Sequence, residues 1–305
     1  MTKVWYWLLL PALLLAGCRT AQKAVYAPDQ LVPAQKALLW KISGNGLDKP
    51  SWVYGTIHII PDDDLNFSSE MIDALDHTKR LTFEIDMKEM ANLGTQMTLM
   101  TKAFMNGGKT LRDLLPTEDY DFVRGKMEQS GLPSGMMERM KPMFISTMLE
   151  GNEGQSNSLG NKRMTSVEME LYRLARRRKL QTAGLETTAY QLSIFDSIPY
   201  DVQARMLVES LRQSDNGTDQ FAQMIELYKA GDINAMQSMI ADESQGVNQY
   251  EELLLQRRNR NWIPVMGRMM REKPTFFAVG AGHLGGPNGV IALLRKEGYR
   301  VEAVL

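Results

Sequence analysis

Only three histidines occur in the 305 residues, at positions 58, 77 and 283, and two of them close the same short pattern. His58 ends Gly-Thr-Ile-His (55–58) and His283 ends Gly-Ala-Gly-His (280–283). Glycine is 24 of 305 residues, so two of three histidines carry it three positions upstream by chance only about 2% of the time. Each motif follows an apolar, strand-like run and opens a loop. A strand end projects its side chain into the crevice at a sheet edge, and a nearby glycine lets backbone, substrate or ion come close. Two imidazoles converging from adjacent strand ends suit a divalent cation such as Mn²⁺, Co²⁺ or Zn²⁺, with a carboxylate as third ligand. Glu84, inside Leu-Thr-Phe-Glu-Ile-Asp (81–86), supplies one. It reads either as that third ligand or as the general base for a metal-bound water. His77 sits at an expected helix end and reads as surface.

The elements that must position these residues are legible around them. LLWKIS and SWVYGTIHII flank a GNGLDKP turn, which predicts a hairpin over about 38–43 and 51–58. Ser68 or Ser69 can cap a helix whose apolar face is Met71, Ile72 and Leu75. Residues 80–86 then alternate as a strand. From about 88 to 270 the periodicity is helical, with Met90, Leu93, Met97 and Met100 at helical spacing and one short strand expected at 180–186. The 22 methionines read as core filler. Segment 151–163 is a polar loop, either a lid or disordered. The end returns to strand, helix and strand: PTFFAVGAG, NGVIALLRKEG and YRVEAVL. These elements imply an α/β (α+β) fold with a mixed central sheet built from both ends of the chain around a large helical insertion.

Competing motifs fit less well. Gly280, Gly282 and Gly285 also spell the dinucleotide fingerprint G-x-G-x-x-G. The chain, however, opens on a hairpin, the following acid (Glu302) lies at the very end, and Gly-Gly-Pro-Asn-Gly delays the helix. GGKT (107–110) lacks the first glycine of a phosphate loop. With 35 basic and 36 acidic residues there is no field for nucleic acid.

The N-terminus is a separate message. A lysine, an apolar run from Val4 to Ala16 and then Gly17-Cys18 describe a secretory signal, too short for a comfortable membrane span. Leu15-Ala16-Gly17-Cys18 resembles a bacterial lipobox, and Cys18 is the only cysteine. The expected division is a lipoprotein signal peptide at 1–17, lipidated Cys18 with a polar tether to 35, and one domain over 36–305. Arg19 in place of Asp points such a lipoprotein to the outer membrane, facing the periplasm.

Taken together, the two G-x-x-H motifs, the strand glutamate between them, LLWKISGNG, GLETTAYQLSIFDSIP (184–199) and RRNRNWIP (257–264) resemble the TraB/GumN/PrgY/TIKI superfamily over about residues 36–305. The resemblance implies a fold related to the erythromycin esterase and ChaN-like proteins, and a membrane-tethered, metal-dependent peptidase activity. It implies that His58, His283 and Glu84 form the core of the site. Glu186, Arg258 and Asn259 fall in the other family-like motifs. In that picture Arg258 stabilises negative charge developing on the substrate and Glu186 orients a histidine. Bacterial relatives carry Gly-x-Asp where this chain has Ser166-Val167-Glu168, which leaves open whether Glu168 serves in its place. Two rival expectations stand beside the metallopeptidase: a metal-free hydrolase with histidine as general base, and a non-enzymatic envelope lipoprotein that binds a peptide or small ligand in a methionine-lined groove.

Overall fold

The structure, a computed structural model, describes residues 23–131, 134–153, 163–215, 220–242 and 248–305. The apolar N-terminal run with Cys18, and most of the polar loop read at 151–163, lie outside the described residues. Eight strands run through the described residues: β1 Leu39–Ser43, β2 Ser51–Thr56, β3 Ile60–Pro61, β4 Arg80–Ile85, β5 Met164–Thr165, β6 Gln181–Glu186, β7 Thr275–Gly280 and β8 Arg300–Val304. Six of them form the central sheet in the order β6-β4-β7-β2-β1-β8. β6, β4, β7 and β2 are mutually parallel, whereas β1 runs antiparallel to both β2 and β8.

The expected hairpin forms, and β2 is wholly buried. It sits in the sheet interior, which explains its unbroken apolar and aromatic run. The same reason corrects the reading of β4 as alternating. Its first four residues are all buried, because β6 and β7 flank it. The sheet is also not built from the chain ends alone, since β6, from the middle of the helical region, forms its edge beside β4. Ser68 is the cap of helix Ser69–Asp76, accepting from Met71 N, and Met71 and Leu75 are buried as the pattern required. The helical region adds a second apolar cluster of its own around Leu111, Val123, Met127, Ile145 and Leu207.

Two expectations change. From Lys23 onward, the segment read as a tether is seated on the domain. Ala24 N donates to Gly298 O, Val301 N donates to Tyr26 Oη, and the buried Arg295 guanidinium donates to the carbonyls of Gln30 and Leu31. A polar stretch in sequence becomes bound chain because its backbone acceptors find a buried cation. Second, the methionine stripe faces outward: Leu93, Met97 and Met100 of helix Leu93–Lys102 are mostly exposed. Methionines elsewhere, such as Met71, Met127 and Met266, do fill the core.

Gly55 shows why the first motif begins with glycine. A Cβ there would stand 3.0 Å from Ala281 Cβ and 3.0 Å from Leu284 Cδ1, in the turn that follows β7. The first motif's glycine therefore admits the second motif's turn. Gly55→Ala is expected to cost about 1–3 kcal/mol by overpacking. Gly125→Ala, inside helix Thr117–Gln129 with nothing within 4 Å of its Cβ, is expected to gain about 0.5–1 kcal/mol. Denaturant midpoints for the two variants check the opposite signs.

Candidate active site

The parallel strands point their carboxyl ends at one edge of the sheet. Along that edge lie Glu84 near the end of β4, Glu186 at the end of β6, His58 just after β2 and His283 just after β7. The chain leaves β4 toward β6 on one side and leaves β7 toward β8 on the other. Neighbouring parallel strands whose successors diverge leave a crevice between them. Glu84 and His283 occupy it.

The turn after β7 packs its glycines against protein, not against a phosphate. A Cβ on Gly285 would lie 2.4 Å from Ile233 O. Gly285 and Gly286 thus serve close packing onto helix Ile233–Asp242, which leaves no room for a pyrophosphate at the fingerprint's third glycine.

Arg258 is the centre of the arrangement. The chain widens into a π turn over Glu252–Gln256 before entering helix Arg257–Glu272, and Arg258, Asn259 and Trp262 fall on that helix's buried face. Arg258 Nη2 donates to Glu84 Oε2 at 2.5 Å and to Glu186 Oε1 at 2.7 Å. Its Nε donates to Glu186 Oε1 at 3.0 Å, and Nη1 donates to Leu254 O at 3.2 Å. Nη1 also lies 3.1 Å from His283 Nε2. Trp262 Nε1 donates to Glu186 Oε2 at 2.9 Å, and its indole lies against the His283 ring, tilted by 42° with centroids 4.5 Å apart.

The tautomer of His283 follows from its partners. Asn259 Nδ2 donates to Asn288 O at 3.0 Å, so its Oδ1 is an acceptor. His283 Nδ1 lies 2.6 Å from that oxygen and must therefore donate. The lone pair is then on Nε2, which accepts from Arg258 Nη1 at 3.1 Å and lies 3.8 Å from Glu84 Oε1. Burial pushes the imidazole down to about 3, against the pull of Glu84 and helped by Arg258. His283 is thus neutral at physiological pH, the form that ligates metals. Burial alone raises the Glu84 carboxyl, but His283, Arg258 and the Gly280 N–H outweigh it and hold it at about 2.

Both shifts have the same stability sign. The unfolded chain takes up protons at His283 below about 6.5 while the folded chain resists until about 3. Glu84 repeats this between about 4.5 and about 2. Stability of the metal-free protein is therefore lost as pH falls, beginning near 6.5. Thermal unfolding of wild type and His283→Gln between pH 7.5 and 4.5 checks this: the wild-type slope should be the steeper, and equal slopes would refute it.

His58 stands differently. Its side chain is 84% exposed, and Nδ1 pairs with Glu168 Oε1 at 3.1 Å. His58 follows β2, the strand beside β7, and so stands at the same sheet edge as His283 and Glu84. His77 is exposed at a helix end, as read, with its ring on Asp73 O.

Three roles read from the sequence shift. Arg258 is engaged by two carboxylates, a carbonyl and an imidazole, so its hydrogen bonds are directed to protein and not to a substrate. Glu186 makes its hydrogen bonds to Arg258 and Trp262, whereas the group that orients His283 is Asn259. Glu84, with its carboxyl held at about 2, is a poor proton acceptor at neutral pH, which favours ligation over general-base work.

A divalent cation can be tested against this donor set. Among the described residues, no three His, Cys, Asp or Glu side chains stand grouped as a metal site. Two donors do come together, His283 Nε2 and Glu84 Oε1, both in the protonation state that ligates. The buried cluster also sets two carboxylates against one guanidinium and a neutral imidazole, leaving negative charge for a further cation to balance. These two donors match such a cation in type, with Arg258 Nη1 standing 3.1 Å from the same Nε2.

Residues 38–303 match the TraB/PrgY/gumN family. The chain belongs to that family. Within it, the chain is similar to Metalloprotease TIKI1 of Danio rerio, at 26% identity over 87% of this chain and 63% of the relative. It is similar also to Metalloprotease TIKI1 of Homo sapiens, at 24% identity over 98% of this chain and 69% of the relative. Metalloprotease TIKI2 of Danio rerio is 24% identical over 87% of this chain and 60% of its own length. The chain thus spans about two thirds of the length of the relatives it matches. No solved structure matches, so the likeness to erythromycin esterase and ChaN-like proteins stays an implication of the family.

Sequence reading missed Trp262 and gave Glu168 no partner. Trp262 had a signal: it lies four residues after Arg258 on the same helix face. The partners of Glu168, Thr56 and His58, lie more than a hundred residues away, and no local pattern announces them.

Proposed function

We propose that the protein is a metal-dependent hydrolase acting on peptides. The observation that carries this reading is the proximity of two potential ligands, neutral His283 Nε2 and the ionised Glu84 carboxylate, 3.8 Å apart at the crevice edge along which His58 also lies. The naming of distant relatives as metalloproteases supports it. His283 and Glu84 would hold Mn²⁺, Co²⁺ or Zn²⁺, with His58 as third donor. When bound, such a cation lowers the pKa of its water and polarises the scissile carbonyl.

The chain's own residues do the rest. Asn259 keeps the lone pair of His283 on Nε2. Arg258 fixes Glu84 against the strand end, and the Gly280 N–H holds the other carboxylate oxygen at 2.9 Å. Trp262 walls the buried side of the imidazole and keeps water off it. The exposed side of the site, where His58 stands, is where a peptide can enter.

A second element of the reading concerns place. Cys18, lipidated after signal cleavage, would tether the protein to the bacterial envelope at the outer membrane, facing the periplasm. Labelling with radioactive palmitate tests this, with Cys18→Ser expected to lose the label and leave the membrane fraction.

The function is tested by elemental analysis and calorimetry on the purified protein with Mn²⁺, Co²⁺ and Zn²⁺, alongside a peptide-library cleavage screen before and after chelation. One equivalent of bound metal and cleavage that chelation removes and metal restores is the expected result. Full cleavage after exhaustive chelation would sink the metal, and no cleavage with tight peptide retention would sink the hydrolase.

A further inference from the structure

The antiparallel pair β3–β5 matches Ile60 with Thr165 and Pro61 with Met164, and Asp62 N donates to Arg163 O at 2.8 Å. This small clip joins the chain just beyond His58 to the chain just before Glu168. Glu168 lies in the first turn of helix Val167–Arg177, where the helix field favours a carboxylate. Three donors converge on it. Thr56 Oγ1 donates to Oε1 at 2.8 Å, Ser166 Oγ donates to Oε2 at 3.3 Å, and His58 Nδ1 lies 3.1 Å from Oε1. The Glu168 side chain is only 18% exposed, against 84% for His58. The carboxylate is therefore the fixed member of the pair and the imidazole the held one.

We infer that Glu168 is the positioning residue of His58, receiving its Nδ1–H so that Nε2 carries the lone pair offered to the site. A carboxylate only accepts, so a neutral His58 in this contact is the Nδ1–H tautomer. His283 is held in the same way by Asn259 Oδ1. Both motif histidines are thus held by Nδ1, one by an amide oxygen inside the fold and one by a carboxylate near its surface, which leaves the lone pair of each on Nε2. Outer partners of this kind fix ring orientation and raise the basicity of the nitrogen that ligates. The inference rests on the reading that His58 serves the site, but its primary test does not depend on metal or turnover.

The test uses the full chain labelled with ¹⁵N-histidine. Three histidines give three resolvable ring systems in long-range ¹H–¹⁵N spectra. At a pH where His58 is neutral, wild type is expected to show it as the Nδ1–H tautomer, and folded Glu168→Ala as mostly the Nε2–H tautomer that free imidazole prefers. Glu168→Gln, of the same shape, serves if the alanine variant does not fold and is expected to show a mixture. The same tautomer in wild type and in folded Glu168→Ala overturns the inference, as does an Nε2–H tautomer in the wild type. Calorimetry with Co²⁺ is the second readout, where Glu168→Ala is expected to bind roughly 10–100-fold more weakly than wild type. Wild type that binds no Co²⁺ overturns the metal reading of the site, while the tautomer spectra still decide the role of Glu168.

Discussion

Arg258→Met is expected to destabilise the protein by about 3–5 kcal/mol, the cost of leaving buried charges without their partner. Glu84 and Glu186 are both held by this one guanidinium, and Glu186 is almost wholly buried. With the arginine gone, Trp262 Nε1 and Gly280 N remain as donors, and neither brings charge. In a domain of this size that loss lowers Tm by roughly 10 °C. Arg258→Lys should recover only part of it, because an ammonium cannot fork between two carboxylates while also reaching Leu254 O and His283. The decisive variant adds Glu84→Gln and Glu186→Gln to Arg258→Met. If the arginine's chief task is to neutralise the two glutamates, the triple variant should be more stable than the single one. Calorimetric unfolding of the three proteins measures this. A single variant as stable as wild type, or a triple variant no better than the single, would show that the guanidinium is not the keystone described above.

The two motif histidines are expected to part company when each is replaced by alanine. Both replacements should lower peptide cleavage by at least about 10³-fold in kcat/KM, since each removes a group that the site needs for proton transfer or ligation. Their stabilities should differ. His58 is mostly exposed, so His58→Ala should stay within about 0.5 kcal/mol of wild type. His283 is buried against Trp262 and bonded to Asn259, so His283→Ala should cost about 2–4 kcal/mol through the lost packing and the stranded amide. Thermal unfolding and cleavage assays on the same preparations give both numbers. An active His58→Ala would remove the exposed histidine from the chemistry. A His58→Ala that loses stability as much as His283→Ala would make its motif structural.

Helix Leu93–Lys102, which carries the exposed apolar face of Leu93, Met97 and Met100, packs against helix Thr188–Asp196. The periodicity placed Leu93, Met97 and Met100 on one helix, whereas Met90 closes the separate helix Met87–Met90, and it could not tell which side of the stripe the protein would cover. An amphipathic pattern fixes which residues share a face; whether that face meets core or solvent depends on what the rest of the chain brings to it.

The same division runs through the whole molecule. The sequence determined what depends on near neighbours: the hairpin with its turn, the Ser68 cap, and the strand-then-loop setting of both histidines. Steric and hydrogen-bonding rules act over a few residues, so residue type and spacing suffice for them. The resemblance to a family added Glu186, Arg258 and Asn259 as positions, without their contacts. Only the tertiary structure decided those contacts. It turned Arg258 from a substrate-facing cation into the partner of Glu84 and Glu186, gave His283 to Asn259 and His58 to Glu168, drew β6 out of the helical region into the sheet, and seated residues 24–35 on the domain. Each of these joins groups far apart in the chain, and electrostatic or hydrogen-bond complementarity over such separations leaves no periodic trace in the sequence. What a charged side chain does is set by the partner that burial gives it, and burial is a property of the assembled fold.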